Sequence, residues 1–216
     1  RYQKRFFNSV ELPRETTFKS KTVDMCGFNI AGPKSREILQ RLSNQDLSNN
    51  NWPFMHSGQL SIAGVECLAL RISFSGDLGW EIYCDAEYQE IIYKTLIKAS
   101  IIENGGPIGS RALMSLRIEK GYGSWSREYS PEVWPHESGL EKLCKLDKDF
   151  LNKRALVENL KNEPRERLVL IKLDEQDCKK SNADATGGEP IFYSGKGIGR
   201  ITSGAYGYNV GMSLAL

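Results

Sequence analysis

The sequence predicts a mixed helix-and-strand body followed by a second, all-β unit, on three observations. Apolar residues recur at helical spacing, as at Ile38, Leu39 and Leu42. Short apolar runs bounded by glycine lie between those stretches and read as strands. Past a charged linker, Lys161 to Arg167, the texture changes to short strand-like runs separated by glycine-containing turns. At 216 residues the chain is long enough for one sizeable core or two small domains.

In chain order, Met25 to Ala31 forms an apolar strand ending at Gly32-Pro33. Pro33 has its φ preset for a first helical turn, and residues 33–43 follow as a helix. After the polar loop Ser43 to Asn51, residues 60–62 and 65–72 make a hairpin around Ala63-Gly64. In the next strand Trp80 and Ile82 point to one face, Glu81 and Tyr83 to the other. Asp85 is placed to cap a helix on which Tyr88, Ile91, Ile92, Thr95, Leu96 and Ala99 share a stripe. Gly105-Gly106-Pro107 ends that unit, and a helix from Ser110 to Lys120 carries Leu113, Leu116 and Arg117. The stretch from Gly121 to Pro135 is turn-rich and holds Tyr122, Trp125, Tyr129 and Trp134. Loops rarely expose so many large aromatics without using them. A short helix at residues 152–160 precedes the linker, and strands are expected at 168–173, 190–193 and 197–201.

The net charge of +2, with both signs mixed along the chain, argues against a nucleic-acid grip. No apolar run approaches the roughly 18 residues of a membrane span. The start, Arg1-Tyr2-Gln3-Lys4-Arg5, has no apolar stretch behind it and does not read as a secretory signal. Five cysteines at irregular spacing, Cys26, Cys67, Cys84, Cys144 and Cys178, read as reduced thiols rather than a disulfide framework. With two histidines, His56 and His136, a His-based metal cluster has little material. The chain begins without Met and stops in the strand-like run Met212 to Leu216, so a fragment of a longer protein is expected.

Four stretches, in order, resemble the glycine cleavage T-protein superfamily. They are Ala31-Gly32-Pro33-Lys34-Ser35-Arg36, residues 73–81 (SFSGDLGWE), residues 115–122 (SLRIEKGY) and residues 202–208 (TSGAYGY). The form LRIEKGYGSW and the segment Leu146 to Leu151 are closer to the dimethylglycine and sarcosine dehydrogenase branch than to the T protein's LRLEAG form. The resemblance runs from about residue 23 to the end. It implies an α+β fold, a folate-binding body over residues 1–165 lacking its N-terminal part, and a truncated C-terminal β-barrel over residues 166–216. It also implies capture of a one-carbon unit by tetrahydrofolate. In that branch an upstream FAD domain, absent from this chain, oxidises an N-methylamine and the methylene group passes to folate as 5,10-methylenetetrahydrofolate. The implied partners are folate, the methylamine-derived donor and that FAD domain, with no nucleic acid and no membrane. Bacterial cytoplasm and mitochondrial matrix both fit, secretion does not.

Glu81 matches the family's pterin-gripping glutamate. A pterin presents an exocyclic amine beside a ring N–H, two parallel donors that suit the two oxygens of a carboxylate. Phe74 stands where the T protein has a tyrosine, so its ring is kept and its hydroxyl lost. Tyr122 matches a pocket tyrosine, and Trp125 follows one helical turn later as a further flat ring for a flat heterocycle. Leu113 replaces a folate-holding arginine, and neither Arg111 nor Arg117 is assumed to substitute for it. Arg117 and Glu119 read as structural ion-pair residues, Gly32-Pro33 and Ser203-Gly204 as structural turns. The family's catalytic aspartate belongs to an upstream Gly-Gly-Ile-type segment with no match here, and Asp24 lies in the wrong context. No catalytic residue is therefore assigned. Two other readings stay open: a free-standing T protein, and a non-catalytic folate-binding or regulatory relative. The tRNA-modification relatives are set aside because their Lys-Gly-Cys-Tyr-type motif is absent.

Overall fold

The computed structural model describes residues 2–10, 15–181 and 183–216. These cluster into two units, residues 1–72 with 78–106, and residues 73–77 with 107–216.

The first unit opens with helix α1 (Tyr2–Ser9), and its centre is a four-stranded sheet. The strands are β1 (Met25–Ala31), β2 (Ser57–Ile62), β3 (Val65–Leu70) and β4 (Gly79–Asp85). They run in the order β1-β4-β3-β2, antiparallel throughout. Alternation decides what each face carries. Trp80, Ile82 and Cys84 of β4, Val65, Cys67 and Ala69 of β3, and Leu60 and Ile62 of β2 are buried in one core. Helix α2 (Ser35–Leu42) adds Ile38 and Leu39 to it, and helix α3 (Gln89–Ile102) adds Ile92, Leu96 and Ala99. Each of the Leu, Ile and Val side chains among these contributes about 1.5–3 kcal/mol by leaving water. Two guanidiniums, of Arg36 and Arg71, lie 5.2 and 4.8 Å from the Trp80 ring centre. Lys34 and Arg41 both pair with Glu103 beyond the end of α3, tying the two helices together.

From β1 to α3 the expected element order holds, with corrections at the helix starts, while helix α1 is not among the expected elements. Helix α2 begins at Ser35 rather than Pro33 because the Ser35 hydroxyl shares its proton between the carbonyls of Gly32 and Leu78, at 2.7 and 2.8 Å. Asp85 makes no side-chain cap; a 3₁₀ turn, Ala86–Tyr88, intervenes before α3. Tyr88 in that tighter turn is rotated off the stripe and stays exposed. Ile91, 100° around the helix from Ile92, is exposed as well.

The second unit holds helix α4 (Ser110–Glu119), a 3₁₀ turn Glu141–Leu143, and helix α5 (Lys153–Asn159). Its later elements are β5 (Ile171–Lys172), α6 (Glu175–Ser181), β6 (Pro190–Tyr193), β7 (Lys196–Arg200), β8 (Gly204–Gly207) and β9 (Met212–Ala215). Strands β5, β9 and β8 form one antiparallel sheet, β6 and β7 a hairpin. Ile118, Leu214 and Leu216 are the buried centre, with Leu168, Ala205 and Met212 packed on them. The end of the chain is the expected strand, β9. The strand expected at 168–173 shortens to β5 because the Leu168 amide donates instead to the Glu137 carbonyl, at 2.8 Å. Helix α6 interrupts what the sequence presents as purely β. The expected boundary at residue 165 falls inside this second unit.

Gly204 shows how tightly β8 is packed. A methyl group there would run into the backbone carbonyl of Ala185, which has no flexible end to yield. The substitution Gly204→Ala is expected to cost about 1–3 kcal/mol. Thermal unfolding should register this as a fall in Tm of roughly 2–12 °C.

Candidate functional site

Glu81 sits at the middle of β4, on the face turned away from the α2 and α3 core, and is half-buried. Its lateral neighbours are Asn29 on β1 and Leu70 on β3. Two positions along the strand and therefore on the same face, the Tyr83 hydroxyl donates to Glu81 Oε2 at 2.7 Å. That bond, with burial and the carboxylate's charge, pushes the phenol up to about 12. Tyr83 is thus a proton donor to Glu81 at any ordinary pH. Gly27, opposite Tyr83 in the ladder, makes room for the ring: a side chain there would approach Tyr83 Cε1 to 2.9 Å. Among the described residues Tyr83 is the hydrogen-bond partner of this carboxylate, and no Lys or Arg pairs with it. A half-buried carboxylate with no cation and one oxygen unengaged is a fork ready to accept two parallel N–H donors. Sequence reasoning placed Tyr83 on the right face but assigned it no role; its position two residues from Glu81 was the available signal.

Phe74, Tyr122 and Trp125 belong to the second unit. Phe74, half-buried, lies in the turn of residues 73–77, where the Ser73 and Ser75 hydroxyls are 2.8 Å apart and Gly76 has φ +75°. That turn packs on the end of α4: Asp77 pairs with Lys120 at 3.8 Å, and a methyl on Gly76 would strike the Lys120 side chain. Tyr122 follows two residues later, partly exposed, so the structure brings Phe74 and Tyr122 onto neighbouring segments. Trp125 is 78% exposed and touches Tyr129 edge-on, with ring centres 6.1 Å apart. It extends from a loop, not from a further helical turn after Tyr122.

Arg117 is fully buried in the second unit. Its Nη1 donates to the Tyr122 carbonyl at 2.8 Å and to Glu128 Oε2 at 3.2 Å. Glu128, also buried, accepts from the Ser124 amide at 2.8 Å and from the Ser203 hydroxyl. Burial would raise its pKa, but the Ser124 amide, the Ser203 and Thr202 hydroxyls and Arg117 outweigh burial and hold it at about 2. Arg117 is thus held within the second unit by the Tyr122 carbonyl and the Glu128 carboxylate. Glu119 also serves structure, accepting from the Asn209 amide and side chain at 3.0 and 2.9 Å.

The four sequence stretches meet in pairs. In the first unit the Gly32 amide donates to the Leu78 carbonyl at 2.8 Å, joining the first stretch to the second. In the second unit the Ser115 hydroxyl donates to the Tyr206 carbonyl at 2.5 Å, joining the third to the fourth. Among the described residues no group of three or more His, Cys, Asp or Glu is placed to hold a metal, and no helix is long and apolar enough to cross a membrane.

This architecture is that of an aminomethyltransferase fold. A solved glycine cleavage system aminomethyltransferase T from Bartonella henselae superposes with a TM-score of 0.74 at 21% identity, covering 88% of this chain and 50% of that one. The GCVT N-terminal domain matches residues 3–148 and the glycine cleavage T-protein C-terminal barrel domain residues 166–216. The chain belongs to the glycine cleavage T-protein family, which is of folate-dependent aminomethyltransferase type. Human mitochondrial dimethylglycine dehydrogenase is 34% identical over 93% of this chain and 23% of its own length. An aminomethyltransferase of Desulfitobacterium hafniense is 31% identical over 94% of this chain and 53% of its own length. The chain thus spans less than a quarter of the first relative and about half of the second.

Proposed function

We propose that this chain binds tetrahydrofolate and takes part in transfer of a one-carbon unit from an N-methylamine of the dimethylglycine or sarcosine type. The product is 5,10-methylenetetrahydrofolate. The observation that carries this reading is the uncharged-partner carboxylate of Glu81, half-buried and oriented by Tyr83. Glu81 grips the pterin's amine and ring N–H, and Phe74, Tyr122 and Trp125 are the further residues proposed to bind folate. The proposed division places the folate-binding domain at residues 1–165 and the barrel domain at 166–216. An FAD domain of the same protein supplies the oxidised amine, and the catalytic aspartate lies in sequence outside this chain. The compartment proposed is the mitochondrial matrix or bacterial cytoplasm.

Calorimetric titration of 5-formyltetrahydrofolate, a stable folate, into the full-length protein tests this. Saturable binding supports the reading, and absence of binding overturns it. The Tyr83→Phe variant is expected to bind three- to tenfold more weakly, about 0.6–1.4 kcal/mol, through loss of one hydrogen bond to the carboxylate. Phe74 and Leu113, where family side chains are replaced, favour a second reading, a non-catalytic folate-binding relative. Folate binding without turnover of any N-methylamine by the full-length protein would select it. A free-standing T protein, the remaining reading, requires that no FAD domain precede this region.

A further inference from the structure

A row of thiols crosses the sheet of the first unit on its core face. Cys26 of β1 and Cys84 of β4 are direct partners in the ladder, with their Sγ atoms 3.4 Å apart. Cys67, on the adjacent strand β3, lies within hydrogen-bonding reach of Cys84 on the other side. Chain separation makes the pair illegible in sequence, since Cys26 and Cys84 are 58 positions apart.

Backbone bonds define the kind of pair this is. The Ala86 amide donates to Asp24 and the Gly32 amide to Leu78, so the 24/86 and 32/78 pairs are of the hydrogen-bonded type. The β1–β4 register is unbroken, and hydrogen-bonded pairs alternate, so Cys26 and Cys84 form such a pair too. In this class the Cα atoms stand about 5.5 Å apart, inside the range a disulfide spans. Their Cβ atoms lie wider than the mean disulfide separation, which makes the resulting link easier to reduce.

Accessibility differs along the row. Cys84 is 2% exposed and Cys67 fully buried, whereas Cys26 on the edge strand is partly exposed. Burial first, then its contacts with Cys26, pushes the Cys84 thiol up to about 12, so it is poorly reactive by itself.

We propose that Cys26 and Cys84 form a reversible disulfide on exposure to hydrogen peroxide. Cys26 reacts first: its sulfur takes one peroxide oxygen to become a sulfenic acid, and one water leaves. The Cys84 sulfur, already in contact, displaces the sulfenic hydroxyl, its proton leaving with that hydroxyl as a second water. Two thiols are oxidised to one disulfide, and the O–O bond is reduced to two waters. A thiol such as glutathione restores the pair by exchange.

The test treats the folded full-length protein with hydrogen peroxide, blocks remaining thiols by alkylation, and maps peptides by mass spectrometry with and without dithiothreitol. The expected result is a dithiothreitol-sensitive link between the Cys26 and Cys84 peptides. It should be lost in Cys26→Ser and Cys26→Ala, each confirmed folded by circular dichroism, and kept in Cys67→Ser. The proposal is overturned by a Cys67–Cys84 link, by Cys26 advancing to sulfinic or sulfonic acid with Cys84 still alkylated, or by both thiols remaining unmodified.

Discussion

The Glu81→Gln variant is expected to bind 5-formyltetrahydrofolate at least tenfold more weakly than the intact protein, a loss of about 1.5–3 kcal/mol. The substitution keeps shape and volume but replaces one acceptor oxygen by an NH₂ group. That group points a donor at a pterin donor, and the charge that strengthens both bonds is gone. Tyr83 sharpens the expectation, because its hydroxyl occupies Oε2 from one side and limits how the amide can turn. The two variants separate the two claims. Weakening in Glu81→Gln without weakening in Tyr83→Phe would keep the folate grip and remove Tyr83 as its positioning residue. Unchanged binding in both would place the folate elsewhere.

Glu128→Ala is expected to be the most destabilising of the substitutions considered, costing about 3–5 kcal/mol and lowering Tm by roughly 6–20 °C. It leaves the Arg117 charge buried without its carboxylate and strips the acceptor from the Ser124 amide and Ser203 hydroxyl. Among the described residues, Nε and Nη2 of Arg117 have no hydrogen-bond partner to compensate. Replacing both partners, as in Arg117→Met with Glu128→Leu, should recover much of the loss, since no charge then remains buried. The pH dependence has a definite sign. Glu128 is held at about 2 when folded, below the ordinary 4.5 of glutamate. At pH 3 to 4 the unfolded chain therefore binds the extra proton, so the contribution is complete above about 4.5 and is lost as pH falls toward 2. Denaturant melts over that window should show a shallower acid loss in Glu128→Gln than in the intact protein. Some acid loss persists in the variant, because Glu137 is held at about 2 as well, by Arg165 first and the Trp134 amide second.

Local pattern carried the first unit well. The alternation of Trp80, Glu81, Ile82 and Tyr83 placed each on its proper face because a strand's side-chain period is fixed by the backbone. The helices at Ile38-Leu39 and Ile92-Leu96-Ala99 were legible because their spacing is the helix's own. Ends were less legible. Asp85 is a good capping residue by type, yet the chain enters α3 through a 3₁₀ turn that its side chain does not cap. Strand β8, Gly-Ala-Tyr-Gly, carries almost no strand signal of its own and exists because β9 and α4 hold it.

By itself the sequence carried the family resemblance in its four motif stretches, the order of elements from β1 to α5, and the face on which Glu81 lies. The elements and that face follow from residue type and short-range period, and the family from the resemblance of the four stretches. Tertiary structure alone decided the partners. It set Tyr83 on Glu81, Glu128 against Arg117 eleven residues away, Ser203 on Glu128 across 75 positions, and Cys26 beside Cys84. Those pairings depend on strand register and on how distant segments close over one another. A register shift of one residue would send each strand side chain to the opposite face.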